Sequence, residues 1–135
     1  MVSIPSTLVI DDNPEALNAL GQVLKAGGVR TVCAARSAEE ALEILKTHRF
    51  DLVVADYRLE GMDGVQFLET LRASGDLTPL LLLSGSPDKS GVIRAVSQPR
   101  VDVFGKPFRV AEFFQAIHKL MRRPEAEAIG AGSDQ

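Results

Sequence analysis

The chain has 135 residues, 45% of them hydrophobic, and its 18 acids against 15 bases give a net charge of -3, so it can bury one core but is short for two ordinary domains. That balance argues against holding nucleic acid or an anionic membrane surface by charge neutralisation. The single cysteine, Cys33, lies in the apolar run TVCAA, which predicts a buried packing thiol in a reducing cytoplasm. A disulfide or a metal ligand is disfavoured there, and no run approaches membrane-spanning length or a signal peptide.

Residues 7–10, TLVI, form a first apolar strand that ends on Asp11 and Asp12. Asn13 followed by Pro14 reads as a helix start, the asparagine capping free amides and the proline taking the position where its missing N–H costs nothing. Leu17, Leu20 and Leu24 share one face of that helix, and Gly27 and Gly28 stop it. A second strand covers Thr31–Ala35. Ser37 and Glu40 have capping-box spacing for a helix to about His48, with Ala41, Leu42 and Leu45 inward. His48 is expected near the helix end, where its charge suits the dipole.

Leu52, Val53, Val54 and Ala55 make a β-branched run of the kind buried on both faces of a parallel sheet, and it ends on Asp56. Gly61 and Gly64 bracket the following turn, and Asp63 and Gln66 flank the start of a third helix lined by Val65, Leu68 and Leu71 and ended by Gly75. Residues 79–83 are the most apolar run and lead into Ser84 and Gly85. The helical signal over 88–96 is weak, interrupted by Gly91 and limited by Pro99, so this helix is predicted to be the least stable. Residues 101–104 form a fifth strand, followed by Gly105, Lys106 and Pro107. A last helix is expected to turn Val110, Phe114, Ile117 and Met121 inward. Residues 1–123 form one domain in this reading, and 124–135 a flexible C-terminal tail.

Strand and helix alternate five times with short loops, which calls for an α/β fold, a doubly wound five-stranded parallel sheet with helices on both faces. Parallel strands bring Asp11, Asp12, Asp56, Ser84 and Lys106 to one edge, the edge where ligands bind in such sheets. Carboxylates gathered there repel one another unless a cation joins them, and all-oxygen ligands suit magnesium better than zinc. A lysine and a hydroxyl opposite the metal could hold a phosphoryl group while one carboxylate attacks phosphorus. Taken singly, Lys106 reads equally as a solvated loop lysine, Ser84 as a turn residue and Asp11 as a helix-capping acid.

With the motifs VIDDN, VVADYRLEGMDG, LLLSG and GKPF, the chain from Thr7 to about Met121 resembles the receiver domain of bacterial two-component response regulators. The resemblance implies a flavodoxin-like strand order 2-1-3-4-5 and a phosphoacceptor at Asp56. It further implies Mg2+ bound by Asp12, Asp56 and the Arg58 carbonyl, with Asp11 acting through water or by orientation. Ser84 would hydrogen-bond a phosphoryl oxygen, Lys106 would pair with it or with free Asp56, and the Lys106–Pro107 bond would be cis. Asp56 would take a phosphoryl group from a histidine kinase, a histidine phosphotransfer protein or a small acyl phosphate. The resulting charge would draw the Ser84 loop inward, with the weak helix and the fifth strand moving.

Partner binding would change as a result, with a phosphorylation-dependent dimer among the outcomes and no direct role for nucleic acid or membrane. The chain departs from the family at Val103, where an aromatic is common; Phe104 should point to the other side of the strand. Glu60 replaces a frequent proline, and Pro99, Arg100 and Val101 replace a usual Gly-Ala, whereas Leu59 fits. Arg58 and Ser86 occupy positions that tune dephosphorylation in the family. A receiver excised from a hybrid histidine kinase or longer regulator would read the same way. A magnesium-dependent phosphohydrolase would want an acid where Arg58 stands, and a nucleotide or flavin binder would want a phosphate loop where Asp11 and Asp12 stand.

Overall fold

Period-2 alternation divides the apolar residues of each strand between two layers. In the computed structural model, which describes residues 6–85 and 88–122, β1 (Ser6–Ile10) puts Leu8 and Ile10 on one face and Val9 on the other. β3 (Leu52–Asp56) sends Val53 and Ala55 one way and Leu52 and Val54 the other, and β4 (Leu80–Ser84) does the same with Leu80 and Leu82 against Leu81 and Leu83. Ser86 and the tail 124–135 lie outside the described residues. With β2 (Thr31–Ala35) and β5 (Val101–Gly105), these strands form an all-parallel sheet in the order β2-β1-β3-β4-β5, as the resemblance implied. β1, β3 and β4, paired on both sides, carry most of the fully buried strand residues.

On one side pack α2 (Ala38–Thr47), α3 (Gly64–Ala73) and α4 (Lys89–Val96); on the other pack α1 (Pro14–Ala26) and α5 (Val110–Met121). The predicted caps form. Asn13 Oδ1 accepts from the Glu15 and Ala16 amides, and Asp63 and Gln66 make a reciprocal box on α3. At α2 the Ser37 hydroxyl accepts from the Glu40 amide as expected, but the Glu40 carboxylate reaches back to the Arg36 amide, 2.8 Å away, one residue before the cap. His48 stands just past the end of α2 in extended backbone, its ring nitrogen 2.9 Å from the Thr47 hydroxyl.

Two expectations require correction. α5 buries Phe113, Ile117 and Leu120, while Val110 is 52% exposed and Phe114 and Met121 are half-buried. The apolar stripe is wide enough for two phases, and the stack of Phe108 on Phe113, with centroids 4.8 Å apart, accompanies the observed one. Phe114 instead lies over the end of α1 at Gly27, where any side chain would overlap its ring. Cys33 is half-buried, because β2 is an edge strand, although it packs against the core. Val103 and Phe104 face opposite layers, as their alternation predicts.

Arg72 is a charged residue in a core position of α3, 9% exposed. Its guanidinium donates to the carbonyls of Asp76 and Thr78 at 2.8 Å and of Pro99 and Arg100 at 3.0 and 3.1 Å. This ties the α3–β4 turn to the α4–β5 turn. Burial pushes its pKa down to about 10, so it stays charged at neutral pH.

Candidate functional site

The strand register assembles the site. Ile10 pairs with Ala55, so the next residues, Asp11 and Asp56, leave adjacent strands side by side. Asp56 pairs with Leu83, which places Ser84 one step further on β4, and Ser84 pairs with Gly105, which places Lys106 just beyond β5. The Lys106 amide donates to the Ser84 carbonyl at 2.8 Å, and its Nζ donates to Asp56 Oδ1 at 3.1 Å. The Lys106–Pro107 bond is cis. The Asp56 side chain is 14% exposed and that of Lys106 38%, so the pair sits at the mouth of the site rather than in the core. Ser84 is 3% exposed.

Asp11 is buried at 8% exposure and accepts from the Asn13 amide at 2.9 Å. Its pKa is raised, first by burial and then by the charges of Asp56 and Asp12, against the lowering effects of the Asn13 amide and Lys106. Asp12 Oδ2 accepts from the Glu60 amide at 3.3 Å, which links the β1–α1 and β3–α3 connections. The latter connection is closed by the Gly64 amide on the Tyr57 carbonyl at 2.9 Å. A Cβ on Gly64 would lie 2.6 Å from the Asp56 carbonyl oxygen and 2.9 Å from Leu82 Cδ2, so only glycine allows this approach. Arg58 is exposed and, with Asp12, Tyr57, Glu60, Asp63 and Asp88, lines a cleft of about 400 Å³.

Among the described residues, no three carboxylate, imidazole or thiolate groups are close enough to hold a metal ion by themselves. The expected gathering of three carboxylates is therefore loose. Lys106 engages Asp56 and the Glu60 amide engages Asp12. What remains fits a hard divalent cation: oxygen donors without imidazole or thiolate, and an Asp11 whose ionisation burial, and after it the acidic neighbours, oppose.

Three features had no reading from sequence, the first two of them at the site. The Glu60 amide is a backbone group and leaves no mark on the side-chain pattern. Tyr57 directs its hydroxyl at Gly91 of α4, and the only signal was a glycine on an apolar helix face. Arg72 stands where the period of Leu68 and Leu71 calls for an apolar residue. The larger cleft of about 680 Å³, lined by His48, Arg49, Asp76 and Leu77 among others, lies at the opposite edge of the sheet and plays no part in this chemistry.

The response regulator receiver domain family matches residues 7–118. The chain is 30% identical over 121 residues to the cell cycle transcriptional regulator CtrA of Caulobacter vibrioides, covering 90% of this chain and 52% of that protein. It is 34% identical over 116 residues to the heme response regulator HssR of Staphylococcus aureus, covering 86% and 51%. The chain thus spans about half the length of the curated relatives it matches. Among solved structures, the signal receiver domain of an HD domain-containing protein from Pseudomonas fluorescens Pf-5 is similar with a TM-score of 0.80 at 27% identity, covering 89% of this chain and 96% of that one. A CheY-like receiver domain from Methanospirillum hungatei shares the fold, with a TM-score of 0.82 at 21% identity and coverage of 93% and 99%.

Proposed function

This chain belongs to the response regulator receiver family, and we propose on that premise that it is a phosphoacceptor switch of a two-component or phosphorelay system, with Asp56 as the acceptor. The observation that carries the reading is the contact of Lys106 Nζ with Asp56 Oδ1 at 3.1 Å, beside Asp11 and Asp12. A magnesium ion, when held by Asp12, Asp56 and the Arg58 carbonyl with Asp11 outside them, would offset the negative charge of an incoming phosphoryl group. The chain's own residues do the rest. An Asp56 carboxylate oxygen attacks phosphorus in line as the P–N bond of a phosphohistidine breaks. The electron pair leaves with the imidazole, and the product is an aspartyl phosphate. Lys106 exchanges its bond to Asp56 for one to a phosphoryl oxygen, and Ser84 donates its hydroxyl to another.

The donor is a histidine kinase or a histidine phosphotransfer protein, or a small acyl phosphate in its place, and the readout is altered binding of a downstream protein or a second copy. Residues 1–123 form the receiver unit, free-standing or part of a longer regulator or hybrid kinase. The cytoplasm is the setting such a relay needs; among the described residues no helix is long and apolar enough to cross a membrane. A magnesium-dependent phosphohydrolase is disfavoured by the exposed Arg58, which stands where that chemistry needs an acid.

Intact-mass measurement after incubation with acetyl phosphate tests the reading. A magnesium-dependent gain of one phosphoryl group in the wild type, absent in Asp56→Asn, is expected. Failure to gain mass, together with failure to bind beryllofluoride, would overturn it.

A further inference from the structure

Asp56 is followed directly by Tyr57, the one tyrosine of the chain. Its ring is half-buried in the layer formed by α2, α3 and α4. The hydroxyl fills the place a side chain would take at Gly91: an added Cβ would overlap the oxygen outright and lie 2.7 Å from Cζ. Gly91 and Ala95 are the buried residues of α4, while Ile93 and Val96 are 59% and 55% exposed. The helix therefore rests on two small residues, one of them under the tyrosine. Glycine in this first turn brings no side chain of its own to the contact, and the close approach of the ring is what it permits.

The first turn of α4 is held by Asp88, whose Oδ2 accepts from the Gly91 amide at 3.1 Å and from the Ser90 hydroxyl at 2.6 Å. Gly91 thus meets the cap of α4 and the residue after the phosphoacceptor at one point. On the β5 side the same layer contains Val103, a β-branched residue held near one rotamer, with no ring to swing.

We propose that Tyr57 is the positioning residue through which the state of Asp56 reaches α4. Its ring, with the hydroxyl end seated on Gly91, sets how closely α4 approaches the β3–α3 connection. A charged adduct on Asp56 that draws Ser84, at the end of β4, toward itself shifts α4 along this ring. This rests on the phosphoacceptor reading above and adds the residue that transmits it.

The test uses magnesium and beryllofluoride on the 15N-labelled chain, with bound fluoride followed by 19F NMR. Wild-type protein should bind the adduct, shift the amides of Lys89–Val96 and change its tyrosine emission, which no tryptophan obscures. Compared at equal bound fluoride, Tyr57→Ala should lose at least about half of the α4 shifts. Tyr57→Phe, which keeps the ring and guards against a folding defect, should retain most of them. Gly91→Ala should change the tyrosine emission before anything is added. If the adduct binds Tyr57→Ala and α4 shifts as in wild type, the proposal is overturned. Absence of bound fluoride in the wild type would overturn the phosphoacceptor reading itself, and the proposal with it.

Discussion

Thr7→Val should make the protein more stable. Thr7 is 0% exposed, in the middle of register pairs with Val32 and Leu52, and alternation places its side chain on the face of Val9, toward α1 and α5. Its Oγ1 is buried without a hydrogen-bond partner among the described residues. An unpaired buried hydroxyl costs about 1–3 kcal/mol, and valine has the same shape with a methyl in place of the oxygen. Taking the lower part of that range, the gain is about 1–2 kcal/mol, or a rise of roughly 3–8 °C in Tm for a chain of this size. Urea unfolding would show it as a higher midpoint at constant slope. Thr7→Ser keeps the hydroxyl, deletes the methyl and should lose about 1 kcal/mol. Beryllofluoride binding should be unchanged in both, since Thr7 lies near the far end of β1 from Asp11. A loss of about 1 kcal/mol or more in Thr7→Val would refute the reasoning, because it would mean the hydroxyl is satisfied.

Gly64→Ala forces a methyl against the Asp56 carbonyl and Leu82; a destabilisation of about 2–3 kcal/mol with weakened acyl-phosphate labelling is expected, and urea unfolding with intact mass reads both. Arg72→Met strands the carbonyls of Asp76, Thr78, Pro99 and Arg100 and should cost about 2–4 kcal/mol; a change under about 0.5 kcal/mol would show that water replaces the guanidinium. The Arg94 hydrogen bonds hold Glu69 below the usual carboxylate range. Because the folded value is the lower one, this contribution is present above the unfolded pKa and is lost as pH falls through the folded one. Both partners are part-exposed, at 49% and 35%, so the contribution is small. Glu69→Gln should flatten the acid side of the stability profile between about pH 5 and pH 3, and identical profiles would count against the pair.

The strand ends were legible because parallel strands convert short apolar runs into one edge, and Asp11, Asp56, Ser84 and Lys106 follow those runs directly. α5 was misphased because residues 110, 113, 114, 117, 120 and 121 are all apolar, and periodicity cannot choose among faces of one wide stripe. The choice accompanies the stacking of Phe113 on Phe108, a contact across a turn. Cys33 read as buried because an apolar run does not reveal that its strand is at an edge. The Glu60 amide on Asp12 and the Tyr57 hydroxyl on Gly91 join segments far apart in the chain, so local pattern carried neither.

The Arg72 staple also decides how α4 can move. Two of its four carbonyls, those of Pro99 and Arg100, stand three and four residues past Val96, the last residue of α4, and tie the chain there to the α3–β4 turn. The opposite end carries Asp88 and leads back to Ser84. The eight residues of α4 make a rod of about 12 Å, at 1.5 Å per residue. Pinned at one end, such a rod has a fulcrum, and a tilt of roughly 10° carries its free end about 2 Å. Gly91 lies near the moving end and Val96 near the fixed one, so the displacement should grade along the helix, largest beside the tyrosine and vanishing at the arginine.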